Sequence, residues 1–193
     1  MAKIELSSLS SKDFREELAR ENAKYRLRRL LLSIAGVLVV VAAISTLVAT
    51  RVLSLLKVDG SSMAPTLAND EMVIVHQTGK AEKGDIIGFH YGGEVLLKRV
   101  IGCGGDYIEI DQDGRVFVNG KELEEAYLTD ASLGKCEIDF PYQVPGDMFF
   151  VLGDNREVSM DSRIRAIGCV EESQIIGKVV CRIWPWSRIG IVS

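Results

Sequence analysis

Two kinds of hydrophobic patterning divide the chain. From Leu30 to Thr50 it runs 21 residues without a charge and without a polar face, and Arg51 ends the run. At about 1.5 Å rise per residue, such a segment spans roughly the 30 Å hydrocarbon core of a bilayer. The pattern predicts a single transmembrane helix over 30–50. Residues 12–29 mix charges at helical spacing and predict a solvated juxtamembrane helix. After Leu67 the apolar residues come in short runs rich in Val, Ile and Phe. Met72–His76, Asp85–Tyr91, Val95–Ile101, Tyr107–Ile110 and Arg115–Val118 predict strands, with further strands at Met148–Leu152 and Ile175–Ile183. Asp113-Gly114 and Asn119-Gly120 are hairpin-turn signals. The expected organisation is a tail over 1–29, the span over 30–50, a juxtamembrane connector over 51–57 and a mostly β domain over 58–193. That domain has an irregular middle around 121–147.

Charge gives the arrangement a direction. The formal net charge of −4 is unevenly divided. Residues 1–29 carry 8 Lys/Arg against 5 Asp/Glu, a net +3, whereas 58–193 carry 13 against 22, a net −9. Arg26, Arg28 and Arg29 precede the apolar run, which predicts a cytoplasmic N-terminus and a β domain outside the membrane. A lead of 29 residues and the length of the run argue against a cleaved signal peptide. An acidic domain without a basic stripe argues against nucleic acid as a partner. At 193 residues and 47% hydrophobic content, the chain has room for one span and one modest globular domain.

Three stretches carry candidate chemistry. In Gly60-Ser61-Ser62-Met63-Ala64-Pro65-Thr66-Leu67 a serine stands between a flexible glycine and a chain-stiffening proline, so a turn here can hold a hydroxyl toward a cleft. In Glu94–Gly102 strand alternation puts Lys98 on the face of Leu96 and Val100, and Arg99 on that of Leu97 and Ile101. One of the two cations must therefore lie among apolar side chains. Lysine answers burial by releasing its proton: its ordinary pKa of about 10.4 falls by up to about 3–5 pH units in apolar surroundings. A neutral amine beside a serine hydroxyl is a competent general base. The third stretch, Gly153-Asp154-Asn155-Arg156-Glu157-Val158-Ser159-Met160-Asp161-Ser162-Arg163, is a polar loop after an apolar strand. Ser159 has the chemistry to orient a buried amine, and Asp161 and Arg163 to pair across the loop.

Other residues are less informative. His76 and His90 are the two histidines, each on an alternating strand pattern that suits structure better than catalysis, although a Ser-His-Asp triad stays open. The absence of C-x-x-C and of clustered His or carboxylates argues against zinc. Asp111-Gln112-Asp113-Gly114 resembles the start of a calcium loop, but Gly120 stands where the closing glutamate belongs. Cys103, Cys136, Cys169 and Cys181 all follow the span, in a compartment that permits disulfides, and their spacing does not choose between pairing and free thiols. Trp184 and Trp186 suit either the headgroup level of a membrane or core packing.

Together, the three stretches resemble the type I signal peptidases, the membrane-anchored serine proteases of family S26. The family pattern S-M-x-P-T-L matches Ser62–Leu67, K-R-V-I-G-x-x-G-D matches Lys98–Asp106, and G-D-N-R-x-x-S-x-D-S-R matches Gly153–Arg163. Weaker features fit Val118–Gly120 and Ile175–Lys178, and the single anchor with a short domain is most similar to the Gram-positive forms. The resemblance implies an extracytoplasmic all-β catalytic domain. It implies a Ser-Lys dyad of nucleophile Ser62 and base Lys98, with Ser159 orienting the lysine and Asp161 and Arg163 supporting the loop. The backbone N–H of Ser62 would serve the oxyanion hole, and Val58, Met63, Leu96 and Leu97 would line small-residue pockets. The implied substrates are exported preproteins, cut after a small-x-small sequence such as Ala-x-Ala and bound as an added strand. The implied setting is the cell membrane, with the bilayer as partner, the enzyme a monomer, and neither cofactor nor metal. Two positions depart from the pattern. Gly60 stands where some members carry an oxyanion-donating serine, and Gly104 replaces the usual proline, which should loosen the loop after Lys98. A non-catalytic anchored β scaffold and a histidine-dependent hydrolase are the rival readings.

Overall fold

The computed structural model describes residues 11–77 and 80–192. The first ten residues of the expected tail, and Ser193 at the end of the expected domain, lie outside them. The chain divides into an N-terminal helical unit ending at Ala49 and a β unit from Thr50 onward.

A single helix, α1 (Ser11–Val52), takes in both the expected juxtamembrane helix and the expected span. Its Leu18–Leu47 segment is long and apolar enough to cross a membrane. Within the apolar run the hydroxyls of Ser33 and Thr46 donate back to the Leu30 and Ala42 carbonyls, each at 2.8 Å. Neither is left unbonded, which is what a hydrocarbon environment demands.

Among the described residues the β unit contains twelve strands. In chain order they are β1 (Leu53–Lys57), β2 (Met72–His76), β3 (Ile86–Tyr91), β4 (Glu94–Cys103), β5 (Tyr107–Ile110), β6 (Val116–Val118), β7 (Lys121–Glu122), β8 (Tyr142–Gln143), β9 (Met148–Leu152), β10 (Val170–Glu171), β11 (Ile175–Trp184) and β12 (Gly190–Ile191). The large sheet runs β1-β2-β11-β3-β4-β9-β10, with β12 also paired to β11, and the small sheet runs β7-β6-β5-β8. All pairings are antiparallel. The fold is mostly β behind one apolar helix, as the patterning predicts.

Each run read as a strand is a strand, with ends shifted by at most two residues. At Asn119-Gly120 both residues take positive φ, 54° and 75°, and turn β6 into β7. The four two-residue strands β7, β8, β10 and β12 are too short to leave an alternation. Residues 53–57, expected as a connector, form β1, because they pair along their whole length with β2, Leu53 opposite His76 and Lys57 opposite Met72.

Among the described residues three apolar clusters fill the unit. The one that matters for the site packs Val58, Met63 and Leu67 against Val73, Val75, Ile86, Leu97 and Val179. The four cysteines are free thiols, so apolar burial and strand pairing, not disulfides, hold the unit together. Trp184 and Trp186 form an edge-to-face pair with centroids 6.1 Å apart, and are 45% and 76% exposed, outside the core.

Gly177 marks the tightest strand contact: a Cβ there would overlap the His76 carbonyl on β2. Gly177→Ala is expected to lower the free energy of unfolding by about 1–3 kcal/mol, read by denaturant unfolding in detergent beside Val180→Ala, which lies on the same strand but is exposed and should be close to neutral.

Candidate active site

The segment joining β1 to β2 is closed at its base and plugged from below. Val58 N–H donates to the Glu71 carbonyl at 2.8 Å and Asp70 N–H to the Val58 carbonyl at 2.9 Å. Gly60 N–H donates to Asn69 Oδ1 at 2.7 Å. Val58, Met63 and Leu67 are buried in the core, and with Met63 turned inward its neighbour Ser62 is left half-buried at the surface. A buried carboxylate braces the far end. Glu71 accepts from Arg182 Nη1 at 3.0 Å and Arg188 Nη1 at 2.6 Å, while the same two guanidinium groups reach the Thr66 and Pro65 carbonyls. From the other side Asn155 N–H donates to the Ser62 carbonyl at 3.0 Å.

β4 brings up the amine. Lys98 Nζ stands 2.8 Å from Ser62 Oγ and donates to its neighbouring Leu97 carbonyl at 2.9 Å. Lys98 is 3% exposed. Burial lowers its pKa to about 8, and the opposing pull of Asp161 and Asp154 keeps it from falling further. Strand alternation requires only one of Lys98 and Arg99 to be sheltered, yet both are, Arg99 at 2% exposure. Arg99 tolerates this because its charge is matched: Nε and Nη2 donate to Asp154 Oδ1 and Oδ2 at 2.9 and 2.8 Å, and Nη1 donates to the Gly84 carbonyl.

The polar loop after β9 supplies the remaining groups. Asp154 also accepts from Thr66 Oγ1 at 2.5 Å, tying the Ser62 segment to the loop. Asp161 and Arg163, both 0% exposed, form a two-pronged pair at 2.8 Å on each arm, and Asp161 Oδ2 accepts from Gly153 N–H. Ser162 exchanges hydrogen bonds with the Val151 backbone. Ser159 is buried and its Oγ makes no hydrogen bond. A Cβ at Gly153 would overlap Ser159 Oγ and crowd the Ser62 carbonyl, so only glycine lets those two groups converge over the loop.

Val58, Met63, Leu96 and Leu97 share a cleft of about 60 Å³ with Ser62 and Lys98. On one edge of this cleft β4 pairs with β3 from Glu94 onward, whereas its pairing with β9 begins only at Arg99. Residues 94–98 therefore present an unpaired backbone edge among the described residues. His76 and His90 are exposed on β2 and β3 and line no part of the cleft. Residue patterning singled out Asp161 and Arg163 but passed over Glu71, Thr66, Asp154 and Arg156. The G-D-N run was the available signal for Asp154. None existed for Glu71, whose partner Arg182 lies 111 positions away.

Comparison with known proteins identifies the family. Residues 28–184 match the family described as signal peptidase, peptidase S26. Signal peptidase IB of Staphylococcus aureus is 40% identical over 151 residues, covering 68% of this chain and 78% of that protein. Signal peptidase I S of Bacillus subtilis strain 168 is 32% identical over 174 residues, covering 84% and 94%. A crystal structure of a signal peptidase I from Enterococcus faecalis V583 aligns over 51% of this chain and 96% of its own, at 33% identity and a TM-score of 0.42. The chain belongs to the S26 signal peptidase family. Within that family it is a type I signal peptidase, a serine endopeptidase.

Asp161→Asn leaves Arg163 buried with its counter-charge gone and only one of the two acceptor oxygens remaining. Unfolding in detergent should show a loss of about 3–5 kcal/mol, whereas Lys135→Ala, which opens an exposed surface pair, should leave the transition nearly unchanged.

Proposed function

We propose that this enzyme removes signal peptides from exported preproteins with a Ser-Lys dyad of Ser62 and Lys98, cutting after small-x-small sequences such as Ala-x-Ala. The observation that carries the reading is the 2.8 Å approach of a buried amine to a half-buried hydroxyl at the head of a cleft. The neutral Lys98 amine takes the proton of Ser62 Oγ as that oxygen attacks the scissile carbonyl. The backbone N–H of Ser62, which makes no hydrogen bond among the described residues, is free to receive the resulting oxyanion. The Lys98 ammonium returns the proton to the leaving amine, leaving an ester on Ser62. Lys98 then takes a proton from water, hydroxide attacks the ester, and the signal peptide leaves with Ser62 protonated again.

Asp161 and Arg163 hold the polar loop against Gly153, and Ser159, with an unused hydroxyl, is the neutral group available to orient the amine. A cleft of about 60 Å³ walled by Val58, Met63, Leu96 and Leu97 fits methyl-sized side chains and supports small-residue specificity. The unpaired edge of β4 offers main-chain donors and acceptors to an extended substrate. In this reading α1 spans the cell membrane with its N-terminus cytoplasmic. It places a monomeric catalytic domain in the plane where precursors arrive tethered, which raises their effective concentration.

The test is cleavage of an Ala-x-Ala precursor by the full chain in liposomes. Ser62→Ala and Lys98→Ala should each lose activity by on the order of a thousandfold or more, while His76→Ala and His90→Ala keep it. Lys98→Arg should also be inactive, because guanidinium stays charged. Since the base works deprotonated, activity should be low below the Lys98 pKa and rise with pH through about 8. Cleavage by Lys98→Arg would remove lysine from the role of base.

A further inference from the structure

Residues 123–141 contain neither strand nor helix and belong to none of the family patterns, yet this segment touches Arg99, Arg156 and Arg163. Arg99 Cζ lies 3.8 Å from the centroid of the Tyr127 ring. The Tyr127 hydroxyl donates to Glu125 Oε1 at 2.5 Å, and the same oxygen accepts from Arg156 Nη2. Farther along, the Leu133 carbonyl accepts from Arg163 Nη1 at 2.6 Å. Arg156 directly follows Asn155, whose N–H holds the Ser62 carbonyl.

The contact with Arg99 is chemically specific. The edge of that guanidinium is occupied by Asp154 and the Gly84 carbonyl, which leaves its two faces. An aromatic ring attracts a cation through its electron-rich face without competing for the N–H groups. The Tyr127 phenol is kept protonated by burial, and further by its hydrogen bond to Glu125, which raise its pKa. It is therefore a fixed neutral donor. Asp154 and Asp161 are the two carboxylates whose charge acts on Lys98, and Arg99 and Arg163 neutralise them. The hydroxyls of Ser62 and Ser159 carry no charge, and the Glu125–Arg156 pair is matched within itself.

We propose that Tyr127 is a positioning residue for the reaction, clamping Arg99 onto Asp154 and so setting the charge that Lys98 experiences. The proposal rests on Lys98 acting as the base. Without the ring, Arg99 is free to tilt, Asp154 is less completely neutralised, and its exposed charge favours the ammonium form of Lys98. Less free amine is then present at neutral pH.

The full chain in detergent micelles tests this through two readouts: the pH dependence of kcat for an Ala-x-Ala precursor, and the titration of Lys98 followed by the NMR shift of its labelled Cε. Tyr127→Leu fills the space without an electron-rich face. It should move both midpoints upward by about one pH unit, so that kcat well below the midpoint falls about tenfold with KM unchanged. Tyr127→Phe keeps the face and should leave both midpoints in place. Tyr127→Met is a second ring-free variant, should leucine prevent folding. An unmoved Lys98 titration in a folded ring-free variant overturns the clamp. If the Lys98 titration moves while the activity profile does not follow it, the clamp stands and the base is some other group.

Discussion

A primary amine held 2.8 Å from a hydroxyl and shut away from bulk water is the constraint around which this β unit is built. Burial makes the amine chemically useful by disfavouring its charged form, and the same burial is hard to arrange within reach of two carboxylates. Each carboxylate is therefore matched by its own arginine: Asp154 by Arg99 and Asp161 by Arg163, all four buried. Pairs of this kind return little net stability, because desolvation offsets most of their attraction. What they provide is geometry: fork-shaped donors fix the carboxylates, and the carboxylates fix the loop through the Gly153 N–H and the Thr66 hydroxyl.

The Ser62 segment is held from three directions. Below it, Met63 and Leu67 fill the core beside Leu97. At its far end, Glu71 gathers Arg182 and Arg188 so that their remaining donors reach the Thr66 and Pro65 carbonyls. At its near end, the Asn155 N–H takes the Ser62 carbonyl. A hydroxyl fixed this closely has little further freedom to lose, and such positioning is what contributes to rate wherever a held group reacts. The clasp around Glu71 also joins this segment to the stretch bearing Trp184 and Trp186, whose exposed rings lie on the C-terminal side of β11.

A crowded backbone appears where the chemistry is dense. Gly153 accommodates the converging Ser159 hydroxyl and Ser62 carbonyl, and the unpaired Ser159 oxygen is one of two buried side-chain atoms among the described residues that lack a partner. The other belongs to Arg156, in the same loop. Both fall in the stretch that supplies the site, and a fully apolar version of this loop would be more stable and chemically empty.

Much of this was legible in the amino-acid order, because the properties concerned are local. The uncharged 30–50 run, the alternating strands from Met72 to Val118 and the Asn119-Gly120 turn follow from residue chemistry acting over a few positions. The three family patterns marked Ser62, Lys98, Ser159, Asp161 and Arg163 before any contact was known. Only the folded chain decided that Lys98 and Arg99 are both buried, that residues 53–57 extend the sheet, and that the cysteines are unpaired. Likewise it alone revealed Glu71 and Tyr127. Their partners lie on distant segments, and a local pattern carries no record of which remote side chain will meet it once the sheets close.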